Sequence, residues 1–264
     1  VITLKKGRTR ALWKKDAMNQ YNRTTYDAGA LDTSRDEGLR SFMLGVYNKM
    51  GLGLVITGIL AWVAFSVPAV SSLLYNVDPA TGALQFTLLG TAMRFAPIGI
   101  LLISMFAMRN PSPIGANLLY WSLVATFGVG ASLWFFLYDI TSITQVFFIT
   151  AAAFFALSLF GYTTKKNLQA FGSFLIMGVV GLIGAVIVNM FLGSGLLAMI
   201  ISIAGVGIFG ALTAFDTQRL KLQYVQIAGD ERSMAIATTF GALSLYINFI
   251  NMFQFLLMLL GNRE

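Results

Sequence analysis

Seven stretches of about twenty apolar residues decide most of what this chain can become. They lie at roughly 50–69, 86–108, 115–137, 142–161, 170–192, 195–215 and 239–260. A helix rising 1.5 Å per residue needs about 20 such residues to cross a hydrocarbon core about 30 Å thick. The runs are continuous rather than alternating, which excludes strands as the spanning elements. Lipid accepts only helices or closed barrels, because every backbone polar group must find its partner within the protein. The expectation is an all-α integral membrane protein with seven transmembrane helices. Composition agrees: 57 % of the 264 residues are apolar and 11 % are charged, where a soluble domain carries about 25 % charge.

The charges are segregated. Residues 1–41 hold nine of the eighteen Lys and Arg, which predicts a basic cytoplasmic tail over 1–41 and a membrane domain over 42–264. The connections then alternate. Arg109 follows the second run, Lys165 and Lys166 the fourth, and Arg219, Lys221 and Arg232 the sixth; segments 70–85, 138–141 and 193–195 have no basic residue. Because basic connections stay in the cytoplasm, the N-terminus is expected inside and the C-terminus outside. Within 1–17, Lys5, Lys6, Arg8, Arg10, Lys14 and Lys15 face a single acid, Asp16. Three readings stay open for this stretch: a lipid-surface contact, an organellar presequence, and a non-native leader ahead of a start at Met18.

Cysteine and histidine are both absent. That removes disulfides, thiol nucleophiles, Cys/His zinc sites and every relay that needs an imidazole. No enzymatic function, cofactor or nucleic-acid partner is expected. Gly205-Val206-Gly207-Ile208-Phe209-Gly210 spells a dinucleotide-binding pattern, but that pattern needs a preceding strand. Here it lies inside an apolar run, where small residues let helices approach closely, and Gly178, Gly181 and Gly184 read the same way.

A charge at membrane depth costs about 2.5–3.5 kcal/mol on insertion scales, so it marks a candidate site. Three residues qualify: Arg94, Arg109 and Asp216. Each also has a plain account. Arg94 can snorkel to the outer interface, Arg109 can be a cytoplasmic anchor, and Asp216 can pair locally with Arg219 or Lys221. The seventh run weighs against the plain account of Asp216. Gly241, Ser244, Asn248 and Asn251 recur at helical spacing, with Gln254 continuing the seam. Such amides should face protein or water inside a bundle. A polar stripe on an enclosed helix, beside a carboxylate and an arginine at the ends of its neighbours, describes a polar cavity opening inward.

Four segments carry a resemblance. They are Leu39-Arg40-Ser41-Phe42-Met43 with Val46-Tyr47-Asn48, Gly161-Tyr162-Thr163-Thr164-Lys165-Lys166-Asn167-Leu168, Phe215-Asp216-Thr217-Gln218-Arg219-Leu220-Lys221, and Gly241 through Asn251. Over about 39–261 the chain resembles the Bax inhibitor-1 (transmembrane Bax-inhibitor-motif) family, its bacterial members in particular. The resemblance implies six helices packed around a central C-terminal seventh, and a pH-sensitive calcium leak. It also implies a gate in which two aspartates, on the sixth and seventh helices, share a proton while an arginine from the second latches onto them. Asp216 matches the first aspartate and Arg109 the latch, with Ser244 and Asn251 as the supporting seam. The second aspartate position holds Asn248. An Asp–Asn pair has one ionisable site and no like-charge coupling, so a weak pH response is expected. Asp216 is the candidate Ca²⁺ ligand, Ca²⁺ being a permeant or bound ion. The alternative is a non-conducting regulator of other membrane proteins, such as a membrane-anchored AAA protease. Either way the expected location is a bacterial inner membrane.

Overall fold

Long apolar runs become long helices here, because in lipid each residue's amide and carbonyl must be paired within its own segment. The computed structural model describes residues 37–78, 80, 83–107 and 110–262, with backbone alone at 105–107. In chain order the elements are α1 (Glu37–Ser66), α2 (Pro68–Leu74), β1 (Tyr75–Val77), β2 (Leu84–Phe86), α3 (Leu88–Ala107) and α4 (Pro113–Ala131). They continue with α5 (Trp134–Leu137), α6 (Ile140–Thr163), a 3-10 turn (Leu168–Phe171), α7 (Gly172–Leu192), α8 (Gly195–Ile227) and α9 (Glu231–Leu260). Two compact units divide the chain, Val1–Phe42 and Met43–Glu264. Of the first, the described part is the helical stretch Glu37–Phe42.

Six helices among the described residues are long and apolar enough to cross a membrane. They are α1, α4 continued through α5, α6, α7 with its leading 3-10 turn, α8 and α9. The expected second span, 86–108, corresponds to α3 (Leu88–Ala107), which contains Pro97.

Several boundaries differ from the sequence expectation. Helix α1 already includes Glu37–Ser41, which had been assigned to the tail; residues 1–36 of that tail lie outside the described residues. It ends at Ser66 because Val67, preceding Pro68, is pushed to extended backbone (φ −93°, ψ 109°). The connection expected at 70–85 holds α2 and an antiparallel hairpin pairing Tyr75 with Phe86 and Val77 with Leu84. Three-residue strands are too short to show alternation. The hairpin is held by side chains, with Leu74 and Tyr75 packed against Phe86 and Phe136. The Tyr75 hydroxyl also lies 2.8 Å from Ser132 Oγ.

The largest correction is at α8, expected to stop at 215 but running on to Ile227. Arg219 and Lys221 therefore lie on α8, and Arg232 on α9, rather than in a loop. Leu220 and Tyr224 are buried on successive turns and keep the extension packed. The connection is only 228–230, where Gly229 takes φ +95°, a conformation open to glycine. Asp230 then caps α9, accepting from the amides of Arg232 (3.1 Å) and Ser233 (3.3 Å).

Helix α9 packs against α8, α6 and α4, while α8 also packs against α6 and α7. The most apolar window of α9 is 56 % buried, against 11–39 % for the other five long helices. Glycines set the close crossings. A Cβ on Gly161 of α6 would stand 2.2 Å from the Ala214 carbonyl oxygen of α8, and one on Gly205 would meet the Phe255 ring at 2.4 Å. The Gly205–Gly210 pattern is thus mid-helix, with Gly205 against α9 and Gly210 facing Leu157 of α6. Gly178 faces Ile208, but Gly181 and Gly184 meet nothing within 4 Å. Those two serve no close packing, because α7 turns most of its surface outward.

Candidate functional site

The α8–α9 contact brings together residues that the sequence keeps about thirty positions apart. Asp216 on α8 is buried, and both of its carboxylate oxygens are occupied. Oδ2 accepts from Asn248 Nδ2 at 2.8 Å and from Ser244 Oγ at 2.6 Å, both on α9. Oδ1 pairs with Arg219 Nη2 at 2.9 Å, one turn along α8. Arg219 also donates to Ser244 Oγ at 3.4 Å and lies 5.8 Å from the centre of the Phe215 ring. The Arg219 side chain is 47 % exposed and that of Asp216 only 5 %. The cluster is therefore open on the arginine side and closed at the carboxylate. Ser244 and Asn248 reach the same oxygen because residues four apart share a helix face.

The structure brings Asp216, Asn248 and Ser244 to one point. The plain account of Asp216 also holds in part, since Arg219 pairs with it. Lys221 does not: its Nζ donates to the Tyr162 carbonyl at 3.1 Å. Asn251 turns back onto its own helix, its Nδ2 donating to the Ile247 carbonyl at 2.8 Å, and does not join the cluster. Gln254 is exposed, so the seam ends before it. Arg109 lies outside the described residues. Arg94 is exposed, with its guanidinium 5.0 Å from the centre of the Phe86 ring on the hairpin. Among the described residues no three acidic, Cys or His side chains converge as a metal site.

Other polar side chains, which the sequence did not single out as site residues, also link the helices. Tyr47 of α1 meets Ser158 of α6 at 2.5 Å, and Ser158 meets Thr217 of α8 at 3.0 Å, directly beside Asp216 in sequence. Lys49 of α1 donates to Asn117 of α4 and, at 2.8 Å, to Thr239 of α9. Thr57 of α1 and Tyr246 of α9 lie 2.7 Å apart. The available signal was Lys49, the single basic residue between Met43 and Ser66. The hydroxyl partners gave none, because Ser and Thr in an apolar helix ordinarily bond their own backbone.

Long apolar helices joined through buried hydroxyl, amide and carboxylate groups define a multi-pass helical membrane protein embedded in the lipid bilayer. The chain belongs to the Bax inhibitor-1 family: residues 39–264 match the family described as inhibitor of apoptosis-promoting Bax1. It is 53 % identical over 251 residues to an uncharacterized protein of Caulobacter vibrioides, covering 94 % of this chain and 100 % of the relative. It is 39 % identical to the uncharacterized protein RP147 of Rickettsia prowazekii, covering 87 % and 92 %. Inner membrane protein YbhL of Escherichia coli K12 is 35 % identical over 228 residues, covering 86 % and 94 %.

Proposed function

We propose that this protein is a cation leak, calcium first among its ions, whose cytoplasmic end is closed by the Asp216 cluster. In this reading α3 is a seventh span and α9 the central helix. The N-terminus is cytoplasmic, the C-terminus is outside, and the membrane is a bacterial inner membrane. The observation that carries the reading is the 2.8 Å link from Asn248 to Asp216. It joins α8 to α9 at the two positions where the family resemblance puts a proton-sharing pair. Opening would require α8 and α9 to part there, with Asp216 passing from Asn248, Ser244 and Arg219 to the ion. Arg109 would act as the latch. A hydrogen bond to a charged acceptor contributes about 1.5–3 kcal/mol, so a cluster of this kind holds the closed state without locking it.

The second reading, a non-conducting regulator that binds other membrane proteins such as a membrane-anchored protease, is favoured by a different fact. Both oxygens of the lone carboxylate are taken by protein groups, as in a purely structural clasp. Calcium flux into proteoliposomes of purified protein separates the two. The leak reading expects flux in the parent and its loss in Asp216→Asn. Absence of flux from folded, correctly inserted protein would leave the regulator.

A further inference from the structure

Two cavities lie end to end along one face of α8. The first, about 590 Å³, is apolar and lies between α6, the 3-10 turn, α7 and α8; Leu157, Phe160, Phe174, Gly207, Ala211 and Ala214 line it. The second, about 390 Å³, is polar; Lys165, Lys166, Gln169, Gln218 and Lys221 are among its walls, and no acidic residue is. On α8 the positions 207, 211, 214, 218 and 221 follow one another at spacings of three and four, so they share a face. From Gly207 to Lys221 that face runs about 21 Å at 1.5 Å per residue. This exceeds half of the ~30 Å hydrocarbon core, the depth that one lipid's tails occupy.

The charged end is built. Gln218, buried, fastens the α6–α7 connection to α8: its Oε1 accepts from the Leu168 amide and its Nε2 donates to the Lys166 carbonyl, both at 2.8 Å. Lys165 and Lys166 are exposed at the rim. Gln169 Nε2 is buried with no hydrogen-bond partner, and Gln169 lines the same cavity. A buried amide donor left unpaired is unfavourable, and an anionic oxygen in the cavity would satisfy it.

We infer that this face is a binding site for one anionic phospholipid. The phosphate sits among Lys165, Lys166, Lys221 and Gln169, and an acyl chain fills the apolar cavity between α6, α7 and α8. Charge selects the headgroup, since three cations without an acid attract a net-negative lipid and gain little from a zwitterionic one. The apolar cavity selects a lipid over a free anion, which would leave 590 Å³ of aromatic and aliphatic wall unused. The site does not depend on ion permeation, so it stands apart from the leak reading.

The test is lipid retention by the purified full-length chain in detergent, read by native mass spectrometry with phosphatidylglycerol, phosphatidylcholine and inorganic phosphate as separate probes. Phosphatidylglycerol should bind about tenfold more tightly than phosphatidylcholine. The variant Lys165→Gln/Lys166→Gln/Lys221→Gln should erase that preference. Gly207→Leu, whose side chain grows into open space, should weaken both lipids. Since Lys221 also bonds Tyr162, the exposed pair Lys165→Gln/Lys166→Gln carries the test if the triple variant fails to fold, with the preference reduced rather than erased. Equal binding of the two lipids by the parent would overturn the inference. So would an unchanged preference in the lysine variants. Inorganic phosphate that displaces phosphatidylglycerol, with Gly207→Leu binding like the parent, would show an isolated anion site and overturn the lipid assignment.

Discussion

A carboxyl group at position 248 would stand against Asp216 where the Asn248 amide now donates at 2.8 Å. Two carboxylates at that separation cannot both ionise freely, so the pair would hold a shared proton and change charge near neutrality. Asn248→Asp is therefore expected to leak calcium several-fold faster than the parent and to acquire a pH dependence between about pH 6 and 8. Proteoliposome flux across that range checks it. A folded variant with the parent's flux and pH profile would remove Asp216 and Asn248 from the gate. Residue identities made this site partly legible beforehand. Asp216 and Asn248 were found because a carboxylate and an amide are costly in an apolar run. Arg219 was seen as a local partner. The link through Ser244 to the same carboxylate oxygen depends on how α9 is rotated against α8, and a helical repeat does not specify that rotation.

At the scale of helices, glycine marks where backbones touch. Gly161→Val puts side-chain atoms into the Ala214 carbonyl, which is backbone and cannot rotate away. Overpacking of this kind costs about 1–3 kcal/mol, so the Tm in detergent should fall by several degrees. Gly181→Ala meets open space and should be neutral or stabilising by up to about 1 kcal/mol through helix propensity. Equal melting of the two variants would contradict the packing roles assigned to these glycines. The start of α9 carries a pH dependence of its own. The Ser233 hydroxyl and amide, followed by the amide and charge of Arg232, hold the Asp230 carboxyl below its ordinary value. A lowered carboxylate pKa contributes stability above the unfolded value, near 3.9, and that contribution is lost as pH falls through the folded value. The first turn of α9 should thus loosen only in acid, below about pH 4. Hydrogen exchange at residues 232–234, corrected for intrinsic rates, should show this in the parent. The dependence should vanish in Asp230→Asn, because Asn caps comparably without titrating.

For the molecule as a whole, the alternation of basic connections with connections that lack a basic residue sets the expected topology. A reporter fused after Glu264 should be active only outside the cytoplasm. Activity inside would mean an even number of crossings, with α3 the first span to question, since it contains Pro97.

Hydropathy by itself determined that this chain is helical and lies in lipid, because the solvent of a twenty-residue segment follows from the sum of its transfer energies, which needs no knowledge of neighbours. The four segments that carry the resemblance named the family, and the match over residues 39–264 agrees. Tertiary structure decided the rest. The length of α8 past 215 comes from Leu220 and Tyr224 finding buried positions, and the hairpin at 75–86 from Tyr75 finding Phe86 and Phe136. The closure of Asp216 by Ser244 and Asn248 and the alignment of two cavities along α8 belong to the same class. Each needs a partner distant in sequence, and its energy exists only once helices have packed at one rotation and depth.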